Sequence, residues 1–101
     1  MNLNEFYKII NVTHHNGQSR VDCGRSSVMY RKYIGLKGKI KTLERGKSFV
    51  MDEIVFSGGD TIRGFIVQTS NVLDFAFSED KQALLVATQN SIYYLVQVWG
   101  I

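Results

Sequence analysis

Three apolar runs near the C-terminus decide the fold class: SNVLDFAF at 70–77, ALLVAT at 83–88 and SIYYLVQV at 91–98. Short polar stretches separate them, SEDKQ at 78–82 and QN at 89–90. Runs of this kind, rich in β-branched and aromatic residues and bounded by polar turns, are typical of β-strands joined by hairpins. The residues from 70 to 98 therefore predict an antiparallel β-meander.

The earlier part of the chain continues this pattern of short strands and turns. Asn16-Gly17 is a strong hairpin signal, because both residues tolerate a positive φ. Gly64 falls inside a predicted strand and indicates a bulge. Strands are predicted at 6–13, 18–23, 37–42, 49–56 and 61–69, while residues 26–33 fit either a short helix or another strand.

About seven or eight short strands in 101 residues predict one small all-β domain spanning 1–101. Mainly antiparallel strands of this length form either a closed barrel or a small sandwich. We favour a strongly coiled β-barrel, SH3-like or similar, with room for one short helix. The reason is that Gly35, Gly38 and Gly64 suit the sharp bends that small barrels need.

Charge is distributed unevenly along the chain, although the net charge is only +3. Residues 20–47 contain nine basic and two acidic side chains, whereas residues 48–101 contain two basic and six acidic ones. This asymmetry favours either binding to an acidic partner or attraction between the two halves of the same fold. The sequence leaves both interpretations open.

The sequence predicts a cytoplasmic protein. Its single cysteine, Cys23, cannot form an internal disulfide, so the fold needs no oxidising compartment. The first residues lack the basic and apolar regions of a signal peptide. No apolar run approaches the roughly 20 residues that span a bilayer, and we therefore expect no membrane association.

No catalytic, metal or cofactor site is predicted. His14, His15, Asp22 and Cys23 could converge if the Asn16-Gly17 hairpin forms, but adjacent residues on a strand point to opposite faces, so the two histidines do not easily bind one ion. The same alternation separates the carboxylates of Asp52 and Glu53. We therefore expect no enzymatic activity and no cofactor.

The basic segment is the strongest candidate for a binding surface. Its lysines at 37, 39 and 41 alternate along a predicted strand and so share one face. Cations accompanied by tyrosines suit a groove that neutralises phosphates and stacks bases, whereas a lysine-rich edge also serves to discourage aggregation. The candidates for partner or nucleic-acid binding are Arg25, Tyr30, Arg31, Lys32, Tyr33, Lys37, Lys39 and Lys41.

The last predicted strand is apolar on both faces. Such a strand lies centrally in a sheet or is covered on its second face. Tyrosine and tryptophan are common anchors of protein interfaces. Tyr93, Tyr94 and Trp99 are therefore candidates for a protein interface, and a homodimer is one form of it.

Two short motifs stand near the C-terminus, Thr-Ser-x-Val at 69–72 and Thr-x-Asn-Ser-x-Tyr-x-Leu at 88–95. Together they resemble a strand–turn–strand ending found in many small bacterial and phage proteins of uncharacterised activity. This resemblance implies a β-hairpin and no particular function. The small single-domain build is also similar to that of phage accessory proteins, including inhibitors of host defence systems.

These features together predict a non-catalytic binding module. The first hypothesis is a phage or mobile-element accessory protein that docks on a host protein or ribonucleoprotein complex, for example as an inhibitor of a defence system. The alternative is a small nucleic-acid-binding barrel that uses the basic segment at 20–47.

Overall fold

A closed ring of antiparallel β-strands forms the protein in a computed structural model that describes residues 5–17, 33–55 and 64–99. Each strand pairs with the next along the chain, and the last pairs with the first. The predicted small antiparallel barrel is confirmed, and the sandwich is excluded because one sheet closes on itself. The strands of the described residues are β1(Glu5–Thr13), β2(Lys37–Thr42), β3(Ser48–Val55), β4(Val67–Phe77), β5(Ala83–Thr88) and β6(Ile92–Trp99).

Alternation of side chains between the two faces of the strands builds the core. On β5, Leu84 and Val86 are buried while Leu85 between them is 38% exposed. The same period of two along the other strands directs one apolar set into the barrel. The largest fully buried side chains include Phe49, Ile9, Leu36, Met51, Leu95, Val12, Val67, Val72 and Val86.

One long strand, β4, replaces the two strands predicted on either side of residue 70. Its first half pairs with β3 and its second half pairs with β5. Gly64 precedes β4 and has φ +80, so it belongs to a turn and not to a bulge within the strand. The polar Thr69 continues the strand because its buried hydroxyl accepts a hydrogen bond from the N–H of Phe49 at 3.1 Å.

A bulge in β4 changes which residues face the core. The register with β5 shifts between Val72 and Asp74. Simple alternation predicts that Leu73 shares a face with Phe75 and Phe77. Instead, Val72 is 1% exposed and Leu73 is 53% exposed, because the extra residue in the bulge turns Leu73 outward.

The pairing of β1 with β2 forms a short seam, where Gly38 lies opposite Tyr7. The backbone of Leu36 accepts a hydrogen bond from the N–H of Ile9 at 3.0 Å, which extends this seam. On its other side, Gly38 faces a bulge of β3, because its neighbours on β2 pair with Asp52 and Val55. A Cβ built on Gly38 would lie 2.9 Å from the Asp52 carbonyl oxygen, so only glycine fits this position without a backbone shift.

The Asn16-Gly17 turn is present, with Gly17 at φ +90 and its N–H bonded to the carbonyl of His14 at 2.9 Å. The returning strand predicted at 18–23 lies outside the described residues. So does the segment at 26–33 except for Tyr33, whose backbone is helical. Within the described part of the chain, β1 pairs with β2 and β6.

The Asp80 carboxylate in the exposed β4–β5 turn makes the free energy of unfolding depend on pH in the acid range. The Asp80 carboxylate accepts hydrogen bonds from the Ser78 hydroxyl at 2.7 Å and the Gln82 N–H at 3.0 Å, and these lower its pKa below the ordinary 3.8. A lowered folded pKa gives stability that is present above the ordinary value and is lost as pH falls through the folded value.

Replacement of Asp80 should therefore remove part of the acid sensitivity. We expect the urea midpoint of Asp80→Asn to fall less than that of the wild type between pH about 4.5 and 2. Glu79→Gln is the matched control, because Glu79 lies in the same exposed turn and makes neither of these hydrogen bonds. Parallel pH profiles for the wild type and Asp80→Asn would contradict the assignment.

Candidate interaction surface

Three lysines lie along the outer side of β2, as their alternation predicts. Gly38 between them is buried against the β3 bulge. Lys37 and Lys39 are half-buried, and Lys41 is exposed. The strand therefore presents its lysines to the outside of the barrel, and the glycine is the residue that faces inward.

Lys8 on β1 lies directly opposite Lys37. Both neighbours of Lys8, Tyr7 and Ile9, are buried, so Lys8 points outward with Lys37. Like charges directly opposite on neighbouring strands destabilise a sheet by a few tenths of a kcal/mol up to about 1 kcal/mol. In the described residues, no carboxylate forms an ion pair with either lysine. We refer to Lys8, Lys37, Lys39 and Lys41 as the lysine cluster.

Lys39 differs from the other members of the cluster because it has local partners. Its Nζ lies 3.4 Å from a carboxylate oxygen of Glu53 and 5.3 Å from the ring centroid of Phe6. Glu53 reaches this position from the β3 bulge, where its φ is +52. Such a conformation costs a non-glycine residue about 1–2 kcal/mol.

Some basic side chains of residues 20–47 form ion pairs with acidic side chains of residues 48–101 within the fold. Arg45 binds Asp74 with an Nη–Oδ1 distance of 2.7 Å, and Lys39 binds Glu53. Both side chains of the Arg45–Asp74 pair are 67% exposed, so solvent screens their attraction and the pair contributes little to stability. The Arg45 guanidinium also lowers the pKa of Asp74 below the ordinary value.

Some of the other predicted contact residues lie in or against the core, and others lie outside the described residues. Tyr93 is 4% exposed and belongs to the core cluster. Tyr33 is half-buried and packs against the core cluster. Trp99 ends β6 beside Glu5 of β1. Arg25, Tyr30, Arg31 and Lys32 lie outside the described residues.

Tyr94 lines a shallow apolar groove on the outside of the barrel, with a volume of about 290 Å³. Ile10 and Leu85, which are 47% and 38% exposed, form part of its walls. Ala76 and Ala83 also line the groove, and their short side chains leave space between larger neighbours. We call this feature the outer groove. It adjoins the lysine cluster, because the lining residue Val96 pairs with Lys8.

Among the described residues outside the cluster, His15 has a structural contact. The His15 Nε2 lies 2.7 Å from the carbonyl oxygen of Thr88, which ties the 14–17 turn to the end of β5. The part of the chain that the structure describes has no group of three or more histidine, cysteine, aspartate or glutamate residues suited to a metal ion. Asp22 and Cys23 are not among the described residues.

Three residues of this surface were not predicted from the sequence as contact residues: Lys8, Ile10 and Leu85. The alternation of Phe6, Lys8 and Ile10 on one face of β1 is visible in the sequence. Their position beside Lys37 and Tyr94 is not, because it depends on how β1 pairs with β2 and β6.

The described residues form a small antiparallel barrel of six strands, with lysines on the outer side of β2. No protein-family model matches the sequence, and no match was found among curated proteins or solved structures. Among the described residues, no helix is long and apolar enough to cross a membrane.

Proposed function

We propose that this protein is a non-catalytic binding module that docks on a host protein or ribonucleoprotein complex through its lysine cluster. The C-terminal motifs resemble an ending found in small bacterial and phage proteins of uncharacterised activity. The small single-domain build is similar to that of phage accessory proteins, among which inhibitors of defence systems are one class. In this proposal the protein acts in the cytoplasm, and the barrel is the scaffold that holds the cluster in place.

The observation that carries the proposal is the pairing of Lys8 with Lys37 across the β1–β2 seam. Two cations placed side by side cost folding free energy, and no described carboxylate compensates them. An acidic surface on a partner supplies that compensation on binding, and it also increases the association rate. The exposed Lys41 extends the positive surface along β2.

The absence of catalysis is part of the proposal and is supported by how the described acids are used. Asp74 is bound to Arg45, and Asp80 holds the β4–β5 turn through its hydrogen bonds. Glu53 is bound to Lys39. These carboxylates stabilise turns and strand contacts, and they do not converge as an acid–base pair would.

Charge reversal within the cluster should weaken partner binding. The double variant Lys8→Glu/Lys37→Glu should recover at least about tenfold less partner than the wild type when the tagged protein is used to capture complexes from a host lysate. The matched control is Arg45→Glu/Lys47→Glu, which changes the net charge equally at exposed sites outside the cluster and away from the outer groove. Equal loss in both doubles, or no loss in either, would contradict the proposal.

Stability measurements separate lost binding from lost folding. Because Lys37 opposes Lys8, we expect Lys37→Gln to keep or raise the free energy of unfolding, by up to about 1 kcal/mol, while it reduces capture. A purely structural role for Lys37 predicts the reverse, a less stable barrel with unchanged capture. Urea denaturation of the purified variants, run beside the capture assay, decides between these roles.

A direct nucleic-acid binder is the second candidate, favoured by the line of lysines along β2. Such a protein should bind short single-stranded DNA or RNA with an affinity that falls steeply as salt rises. Fluorescence anisotropy with 20-nucleotide probes, and nuclease treatment of the captured complexes, distinguish it from a protein-docking module. Capture that survives nuclease, without binding to the probes, excludes this second candidate.

A further inference from the structure

The outer groove is framed by two parallel rows of outward side chains that run across the strands. In the first row, Lys37 pairs with Lys8, Lys8 with Val96, and Val96 with Ala83. Each partner is a directly opposite residue, so the side chains are close neighbours on one surface. The first row therefore changes from basic to apolar as it passes from β2 to β5.

The second row is apolar throughout. Tyr94 pairs with Leu85, and Leu85 with Ala76. Ile10 follows Lys8 on the outward face of β1 and lies in the bulge between Ile9 and Asn11, which pair with Leu95 and Tyr94. The small side chains of Ala76 and Ala83 lie between larger neighbours, and this difference in size makes the surface concave.

The size of the groove restricts what it accepts. Its volume of about 290 Å³ is at the lower end of the range for a ligand cleft, which fits one or two large apolar side chains. A stable dimer needs about 800 Å² of contact from each partner, more than a shallow groove with a few exposed apolar residues provides. A short segment with a projecting apolar residue fits better than the surface of a second copy.

The charges around the groove determine which charged residues can flank the apolar residue of a bound segment. Lys8 lies at the rim beside the lining residue Val96, with Lys37 next to it. At the opposite end, the turn between Ser78 and Ala83 carries the exposed acids Glu79 and Asp80 and one lysine. A bound segment is therefore stabilised by carboxylates on the side of Lys8 and not on the side of that turn.

We infer that the outer groove binds a partner protein's short segment in which a leucine- or phenylalanine-like side chain is flanked by Asp or Glu. The apolar side chain packs between Leu85, Tyr94 and Ile10, and the adjacent carboxylate pairs with Lys8. This inference rests on the proposed binding function and names the partner chemistry that the lysine cluster and the groove recognise together.

A displayed library of random 12-residue peptides tests the inference, with the purified protein as bait. Selection on the wild type should enrich peptides with a large apolar residue beside Asp or Glu. Leu85→Glu should lose this enrichment, because it places a carboxylate in the wall of the groove. Leu73→Glu is the matched control: Leu73 is 53% exposed on β4 and does not line the groove, so the same peptides should be enriched.

The enriched peptide is then synthesised with a fluorescent label, and its affinity is measured by anisotropy. We expect Leu85→Glu to weaken binding at least about tenfold, and Lys8→Glu to weaken it about threefold to tenfold and reduce its salt dependence. Circular dichroism melts of both variants, compared with Leu73→Glu, show whether the barrel is intact. Enrichment without acidic residues, no enrichment, or equal losses for Leu85→Glu and Leu73→Glu would overturn the inference.

Binding of a second copy in the groove, and failure of the proposed role of the lysine cluster, give different experimental outcomes. If sedimentation shows a dimer of the wild type that Leu85→Glu dissociates, the groove binds a second copy and the inference is wrong. If the labelled peptide binds through the groove but the Lys8→Glu/Lys37→Glu double still captures the host complex, the groove inference stands and the proposed role of the lysine cluster fails. The two failures are therefore distinguishable.

Discussion

Gly38→Ala should destabilise the barrel by about 2–3 kcal/mol, because the added methyl group has no space. A Cβ at this position would lie 2.5 Å from Cδ1 of Ile54 and 2.9 Å from the carbonyl oxygen of Asp52. The first contact is with the end of a side chain that can move. The second is with backbone, and relieving it requires β2 and β3 to separate. Urea denaturation followed by tryptophan fluorescence measures the effect.

A double-mutant cycle tests this explanation. Ile54→Val removes the Cδ1 methyl and alone should cost about 0.5–1.5 kcal/mol, since Ile54 is buried. In the Gly38→Ala background it should cost less, with a coupling of about 0.5–1 kcal/mol, because it also relieves a clash. Full rescue is not expected, since the Asp52 carbonyl remains in place. Strict additivity of the two changes would show that Ile54 and residue 38 do not compete for space.

Gly64→Ala is the control for the conformational cost of replacing a glycine. Gly64 has φ +80 and no atom within 4 Å of a built Cβ, so only backbone strain opposes alanine there. We expect a loss of about 1–2 kcal/mol. At Gly38 the expected loss of stability has a different cause, which is the close packing between β2 and β3. A larger loss at Gly64 than at Gly38 would reverse this interpretation.

Phe49→Ala should have the largest effect of any single truncation considered, about 3–5 kcal/mol. Phe49 is fully buried and is the largest such side chain in the described core. Its removal loses the burial of the ring and leaves a cavity between strands that cannot collapse freely. This loss is a large part of the about 5–15 kcal/mol that stabilises a typical domain.

Phe77→Ala provides the matched comparison. Phe77 is 39% exposed at the end of β4, and its ring makes edge contacts with Tyr7 and Phe75 at centroid distances of 6.2 and 6.4 Å. We expect a loss of about 1–2 kcal/mol, mainly from these contacts. Thermal melts of the two variants, compared with the wild type, decide the order. An equal loss of stability in the two variants would contradict the assignment of Phe49 to the core and of Phe77 to a partly exposed position.

Local sequence patterns were sufficient to predict the meander at the C-terminus. Alternation and turn residues predicted β5 and β6 with nearly the observed bounds, and predicted that both faces of β6 are apolar. They failed at β4, where Thr69 and Ser70 look like the junction between two strands. A buried hydrogen bond from Phe49 to Thr69 makes that junction part of one strand. This bond joins residues 20 positions apart, so no local pattern contains it.

Recognition of the surface was possible only in part. The lysine alternation along β2 was readable, because it depends on one strand alone. The Lys8–Lys37 pair and the outer groove were not, because the register between strands determines them. Tyr93 and Tyr94 illustrate the limit: both are aromatic and adjacent, and only the position of β6 between β1 and β5 decides that Tyr93 is buried in the core and Tyr94 lines the groove.

The all-β class, the antiparallel meander and the uneven distribution of charge can be read from the residues alone, because they follow from period, turn residues and composition. The closure of the ring, the positions of the bulges and the contacts between cations depend on the folded arrangement of the strands. Strand register depends on packing between segments that are distant in the sequence: on one side of β2, Gly38 fits the β3 bulge, and on the other side the register with β1 places Lys37 opposite Lys8.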